Sequence, residues 1–425
     1  MKTLIENAVV LTMADEKITP MNILVSDGRI EALGTEAFKA DVVIDGTDTL
    51  VMPGLVNAHT HIAMSLLRNY ADDLDFWPWL TQRIWPAEAK LDSRKVYWGS
   101  MLSIAEMLSK GITAFSDMYF FTEETIKAVE ETGIRANLNR GLTSGEDEDM
   151  KLENALELYE KHHLKGDGRI KIDLGPHAPY TCEQGLFKKI IAAGRSRDTR
   201  IHIHLSESRK EVRDSYEKHG MSPIQYVDSL GLFELPTQAA HCVHIDDEDM
   251  KILKSRDVSV VNNPSSNLKL ANGFAPVAKM LTMGINVALG TDGPSSNNNQ
   301  DLFEEMHLAA LVNKGYEENP TVLRAYEVLQ MATINGARAL GIEEKVGTIE
   351  VGKKADLIMI DLKAPHLNPR NNLLSSLVYS VSSSDVVLTM VEGKVLYREG
   401  EFLTLNIEKV LKNANEEALE MTRND

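Results

Sequence analysis

Cysteine is nearly absent from this chain. Only Cys182 and Cys242 occur in 425 residues, and no Cys-x-x-Cys pair exists. That excludes a disulfide scaffold and a thiolate zinc site. No run of about 18 apolar residues occurs, so no membrane-spanning segment is expected. Positive charge is in deficit: 45 Lys and Arg stand against 63 Asp and Glu, a formal net charge of −18. That sign disfavours the phosphate backbone of nucleic acid as a partner. The start, Met1-Lys2-Thr3-Leu4-Ile5-Glu6-Asn7, meets an acid too early for a signal peptide, and the cytoplasm is the simplest location. Internal repeats and low-complexity stretches are also missing. Hydrophobic residues, by contrast, make up 43% of the chain, enough for a large core.

The two ends read as β-structure. Thr3–Leu11 is one expected strand, and Ile23–Gly34 is a hairpin turning at Asp27-Gly28. Beyond Gly347 the texture returns: Gly347–Gly352 turns into Ala355–Asp361, and Val387–Val391 turns at Glu392-Gly393-Lys394 into Val395–Tyr397. Neither piece is large enough to hold a core alone. The two are therefore expected to pair into one small β-sandwich, from residues 1–52 and 347–425, the latter with a terminal helix.

The middle, residues 53–346, alternates strand-like and helix-like runs. Eight apolar runs occur: Leu55–His61, Ile112–Tyr119, Ile134–Gly141, Ile170–His177, Ile201–Leu205, Gln238–Val243, Val258–Asn262 and Ile285–Asp292. The first long helix is announced by Val96, Met101, Ile104, Ala105 and Leu108, with Asp92 as N-cap and Gly111 just past its end. The fold class is α/β, a (β/α)8 TIM-type barrel.

Chemistry in such barrels sits at the carboxyl ends of the strands. A lone His-x-His is weak evidence of a metal site, but His59 and His61 share one strand face and have matching partners at other strand ends. His177 ends the fourth strand, His204 and Glu207 the fifth, His241 the sixth, and Asp292 the eighth. His59, His61, His204 and Asp292 suit one divalent ion, zinc above all. Such an ion lowers the pKa of a water from about 15.7 towards roughly 7–9. His241 is placed to orient or deprotonate that water, and Glu207 to donate and retrieve a proton. A lysine at the end of strand four would serve two metals, but His177 stands there and Lys171 lies at the opposite end, so a single metal is expected. His202 reads as a buried structural group, His162 and His163 as solvated, and His219, His307 and His366 as lacking partners.

Met52–His61, Gly347–Asp361 and the strand-end set together resemble the amidohydrolase superfamily over nearly the whole chain. More narrowly, the chain is similar to the methylthioadenosine/S-adenosylhomocysteine deaminases. The supporting stretches include Trp85-Pro86-Ala87-Glu88, Asn139-Arg140-Gly141, Gly175–Tyr180, Ala240–His244, Asn263–Leu270 and Gly290–Gly293. The resemblance implies hydrolytic deamination of an adenine nucleoside thioether. It makes His59, His61, His204 and Asp292 the ligands and Glu88 a contact to the ribose hydroxyls. Arg140 and His177 enter the substrate pocket, and Glu207 protonates the purine ring nitrogen. Asp292 passes a proton to the departing ammonia, and His241 stabilises the developing charge. Lys151 stands where the family can place a second arginine, and it lacks that residue's bidentate fork, which leaves the preferred 5′ substituent open. Contact of Lys151 or His244 with substrate is likewise open. The partner is a small-molecule nucleoside, with neither nucleic acid nor membrane, and the chain is expected to be a homo-oligomer.

Two other readings stand beside this one. The same scaffold serves hydrolases of guanine, pterins or triazines, where a ribose-reading Glu88 has less purpose. A non-enzymatic relative would have lost ligands, and here every ligand position is filled.

Overall fold

The computed structural model describes residues 1–197 and 199–423. Strands from both ends of the chain join in one nine-stranded sheet. Lys2–Leu11 pairs antiparallel with Ile18–Ser26, which pairs with Arg29–Gly34 through the expected Asp27-Gly28 turn. Thr49–Pro53 is the link: it runs parallel to the first strand and antiparallel to Leu357–Asp361. Val386–Val391 and Lys394–Arg398 continue the sheet, turning at Glu392-Gly393. Ile5, Val10, Ile23, Met359 and Met390 are buried between these strands.

One expected strand is not formed. Gly347–Gly352 is a series of bends, because Gly347 and Gly352 take φ of 92° and 94°, outside the β region. Ile349 still anchors the segment, with its N–H on the Thr12 carbonyl (2.8 Å).

The middle holds parallel strands. Numbering these alone, β1 is Leu55–Thr60, β2 Ile112–Tyr119, β3 Arg135–Leu142, β4 Ile170–Ile172, β5 Ile201–Leu205, β6 Thr237–His241, β7 Ser259–Asn262 and β8 Val287–Leu289. β1 to β4 form one ladder and β5 to β8 another. A parallel bridge, Leu174 to Ile201, joins the two. At the other seam, the Asp292 N–H donates to the His59 carbonyl at 3.0 Å. Gly290 allows that approach, since a Cβ there would stand 2.8 Å from the His59 carbonyl oxygen. β1 and β2 are buried at every position, as strands covered on both faces must be.

The helix Ser93–Ser109 follows its sequence signals. The Asp92 side chain accepts from the Lys95 N–H (2.9 Å), and Gly111 takes φ of 80° beyond the end. Val96, Met101, Ile104, Ala105 and Leu108 are all buried. The terminal helix, Ile407–Thr422, docks against this one, where buried Glu417 pairs with Arg94 and Lys95.

A buried ion pair ties the central strands to the terminal sheet. Arg135 on β3 donates to both oxygens of Asp356 (2.9 and 3.2 Å), with side chains 2% and 1% exposed. Among the described residues, no helix is long and apolar enough to cross a membrane.

Candidate metal and active site

At or beyond the ends of β5, β6 and β8, four non-glycine residues take left-handed backbone: Ser206 (φ 53°), His241 (73°), Cys242 (48°) and Asp292 (60°). Such conformations cost energy and concentrate at functional sites. They also explain why β6 stops at His241 and not at Val243, and why β8 is shorter than its apolar run.

Each histidine of the cluster has one ring nitrogen engaged. His61 Nδ1 donates to the Met118 carbonyl (2.6 Å) and His204 Nδ1 to the His177 carbonyl (2.7 Å). His59 Nδ1 lies 2.7 Å from His202 Nε2. The other nitrogens converge. His59 Nε2 and His61 Nε2 each lie 3.3 Å from Asp292 Oδ1, and His204 Nε2 lies 3.3 Å from His61 Nε2. A tetrahedral ion about 2.0–2.1 Å from its ligands sets neighbouring ligands about 3.3 Å apart. His59 Nε2 is buried and has no hydrogen-bond partner. A buried orphan nitrogen is costly unless something binds it. The donor set therefore fits a divalent ion. His241 closes on the same point, within a His59, His204 and His241 group.

Asp292 is fixed from behind. Its Oδ2 accepts from Ser266 Oγ (2.6 Å) and Ser296 Oγ (2.9 Å), and its Oδ1 from the Gly293 N–H (2.8 Å). Glu207 is buried 5% exposed, and burial, with the Asp292 charge nearby, holds its carboxyl well above the usual range. Asn272 donates to Glu207 Oε1 (2.9 Å), which leaves Oε2 to carry the proton. His241 Nδ1 pairs with Asn267 Oδ1 (2.9 Å), and its Nε2 faces Glu207 Oε2 at 3.6 Å.

Above these groups opens a cavity of about 520 Å³. His61, Glu88, Lys151, His177, Glu207 and Asp292 all reach it. Glu88 is partly exposed as a residue, yet its Oε1 is buried without a partner. Burial pushes its carboxyl up to about 7, against the nearby Tyr119 hydroxyl. Burial lowers His177 to about 3, so a neutral ring faces the cavity.

The family model for the amidohydrolases matches residues 50–396. The chain belongs to the amidohydrolase family. This amidohydrolase is 50% identical to a 5-methylthioadenosine/S-adenosylhomocysteine deaminase from Caldanaerobacter subterraneus subsp. tengcongensis, covering 100% of each chain. It is 46% identical to a 5′-deoxyadenosine deaminase from Methanosarcina mazei, covering 98% of each. A crystallised adenosine deaminase from Xanthomonas campestris with bound zinc superposes with a TM-score of 0.95, at 34% identity, over 99% of this chain and 98% of that one.

One expected contact, Arg140, is not brought to the cavity of this amidohydrolase, and neither is His244, whose contact the sequence left open. Arg140 Nη2 is held by both oxygens of Glu123 (3.0 and 2.8 Å). Strand alternation explains it: Asn139 points inward to His202, so its neighbour Arg140 points to the other face. His244 stays off the cavity wall. Lys151 does line it, with Nζ on Asp147 Oδ1 (2.9 Å) and Thr143 Oγ1 (3.1 Å).

Other histidines find partners that their sequence context did not announce. His219 stacks on Tyr226 at 3.8 Å, His366 pairs with Asp385 at 2.8 Å, and His307 Nδ1 meets the Val378 carbonyl at 3.2 Å. His162 and His163 are half-buried, and His163 stacks on Tyr159. Sequence context also assigned no role to the side chains of the cavity roof, Phe76, Trp79, Leu80 and Trp85. Its one signal was composition: three of four tryptophans fall between residues 77 and 85. That roof includes a π-turn at Trp79–Ile84, a form common near functional sites.

Proposed function

We propose that this amidohydrolase deaminates the adenine ring of 5′-methylthioadenosine, S-adenosylhomocysteine or both, with adenosine a related substrate, releasing ammonia. The observation that carries this reading is Glu207. It is a buried carboxyl, held towards its protonated form by burial, beside a converging His/Asp cluster, in the lining of a cavity large enough for a nucleoside. Relatives named for this activity match over the full chain.

His59, His61, His204 and Asp292 would hold one divalent ion, and zinc is the choice that their nitrogen and oxygen donors support. Bound there, the ion supplies the Lewis acidity that makes water a nucleophile near neutral pH. Glu207 gives its proton to the purine ring nitrogen as C6 is attacked. Asp292 accepts the proton of the attacking water and passes it to the departing ammonia, and His241 stabilises the charge that develops. Glu88 accepts from the ribose hydroxyls, which explains a buried carboxyl oxygen with no partner in the protein. His177 and Lys151 contribute to the wall, and Arg140 enters the substrate's reach only by leaving Glu123.

The same reading makes the two parallel ladders one (β/α)8 barrel spanning residues 53–346. The sheet of residues 1–52 and 347–425 then forms a β-sandwich beside it. The bridge at Leu174 and the hydrogen bond at Asp292 support closure, and the Thr49–Pro53 ladder supports the joining of the ends. A cytoplasmic homo-oligomer acting on small molecules completes it.

The test is ammonia release from adenosine, 5′-methylthioadenosine, S-adenosylhomocysteine, guanine and cytosine, with zinc supplied. Turnover of a nucleoside is the expected result. Turnover of a free base, a pterin or a triazine alone would overturn the substrate reading.

A further inference from the structure

One buried acid in this region has no part in the chemistry above. Glu211 lies in the first turn of the helix Arg209–His219 and is 3% exposed. Its carboxylate accepts two consecutive backbone N–H groups. Oε1 takes Ser206 (2.9 Å) and Oε2 takes Glu207 (2.8 Å). The helix start is itself locked, since Ser208 Oγ accepts from the Glu211 N–H at 3.2 Å.

The clamped peptide is a strained one. Ser206 has φ of 53°, which a residue with a Cβ adopts only at a cost. The Ser206 carbonyl is held on its other side by the N–H groups of Val243 (3.1 Å) and His244 (2.9 Å). Those two residues follow His241. One peptide thus ties the end of β5 to the end of β6, and Glu211 holds it from below. The side chain that projects from the clamped unit is Glu207.

We propose that Glu211 is the positioning residue of Glu207. It touches neither the cavity nor the metal ligands. It fixes the left-handed turn at Ser206, and with it the direction in which Glu207 presents its proton. Burial raises this carboxyl to about 7 against the two N–H groups that favour its ionised form. That form offers two acceptors and no donor, whereas an amide of the same shape turns a donor towards one of the two N–H groups. This role rests on the reading of Glu207 as the proton donor.

Glu211→Gln is the direct test, made on the zinc-loaded full chain. The expected result is a fall in kcat of roughly 10- to 100-fold, the scale of a misplaced catalytic group. KM should stay within about threefold and metal content should be unchanged, because binding groups are untouched. A double-mutant cycle separates this from a general loss of structure. In the Glu207→Gln background, Glu211→Gln should cost less than about twofold further, since the residue it positions has already lost its proton. Multiplying losses would overturn the proposal, as would an unchanged kcat in the single variant. Ser206→Gly is the second variant, because glycine accepts the left-handed turn without the clamp. Combined with Glu211→Gln, it should restore any lost folding while kcat stays low. Loss of zinc or of the fold in both variants would assign Glu211 to stability alone and overturn the positioning role. Failure of the underlying reading shows separately: Glu207→Gln would then turn over normally.

Discussion

His59 Nδ1 and His202 Nε2 lie 2.7 Å apart, with both rings fully buried. For His59 to offer Nε2 to an ion, its Nδ1 must carry the proton, so His202 Nε2 accepts. His202 then carries its own proton on Nδ1, where the Asn139 side-chain amide lies 3.0 Å away. The atom facing it is Asn139 Nδ2, so the amide must be turned to bring its otherwise unpartnered oxygen there as the acceptor this relay needs. Asn139, His202 and His59 thus form one chain that fixes a tautomer.

Breaking that relay should weaken metal binding without removing a ligand. His202→Phe fills a similar volume and cannot accept. Zinc affinity, measured by competition with a chelator, should fall about 10- to 100-fold. Unchanged affinity would reduce His202 to packing.

Removing the proton donor should spare the metal. Glu207→Gln keeps shape and zinc content, and kcat should drop by at least about 10²-fold. Dialysis against a chelator should abolish turnover of the wild type as well, with recovery on zinc addition.

Glu88 has a sign-defined pH signature. Its folded pKa of about 7 lies above the ordinary carboxyl value of 4.5. The native state therefore binds more protons than the unfolded chain in that window. Its contribution is fully present below pH 4.5 and is lost as pH rises through about 7. Thermal melts should show Glu88→Gln gaining stability over the wild type at pH 8 and not at pH 4. The same variant should lose more kcat/KM on a nucleoside than on a free base.

The 5′ substituent should be read by Lys151 more than by Arg140. Lys151→Ala should reduce kcat/KM for S-adenosylhomocysteine more than for 5′-methylthioadenosine, by roughly tenfold if one charge-assisted hydrogen bond is lost. Arg140→Ala should change the two substrates equally, because Glu123 already holds the guanidinium. A larger effect of Arg140→Ala on the charged substrate would show that the pair opens on binding.

The sequence made the converging His/Asp cluster legible because period-2 alternation and strand-end position are local properties. His59, His61, His204 and Asp292 could be picked out that way. The helix at Ser93–Ser109 was equally readable, since its cap and its apolar spacing are local too. What lay beyond reach depends on tertiary partners. Nothing near Arg140 in sequence says that Glu123 will occupy it. Nothing near Glu211 says that it will hold the backbone of Ser206. The Gly347–Gly352 segment misled because β-like composition does not reveal a glycine backbone at positive φ.

The pairing of Arg135 with Asp356 also sets an order in time. The partners are separated by 221 positions. At about 5–20 residues per second, a ribosome delivers the carboxylate roughly 10–45 s after the guanidinium. A buried arginine without its counter-ion costs several kcal/mol, so the nascent middle is expected to close over β3 only when the late strand arrives. Ribosome-stalled chains ending before residue 356 should therefore stay protease-sensitive around Arg135, and chains extended past the Leu357–Asp361 strand should not. Completion of the catalytic half is in this sense scheduled by a residue that takes no part in catalysis.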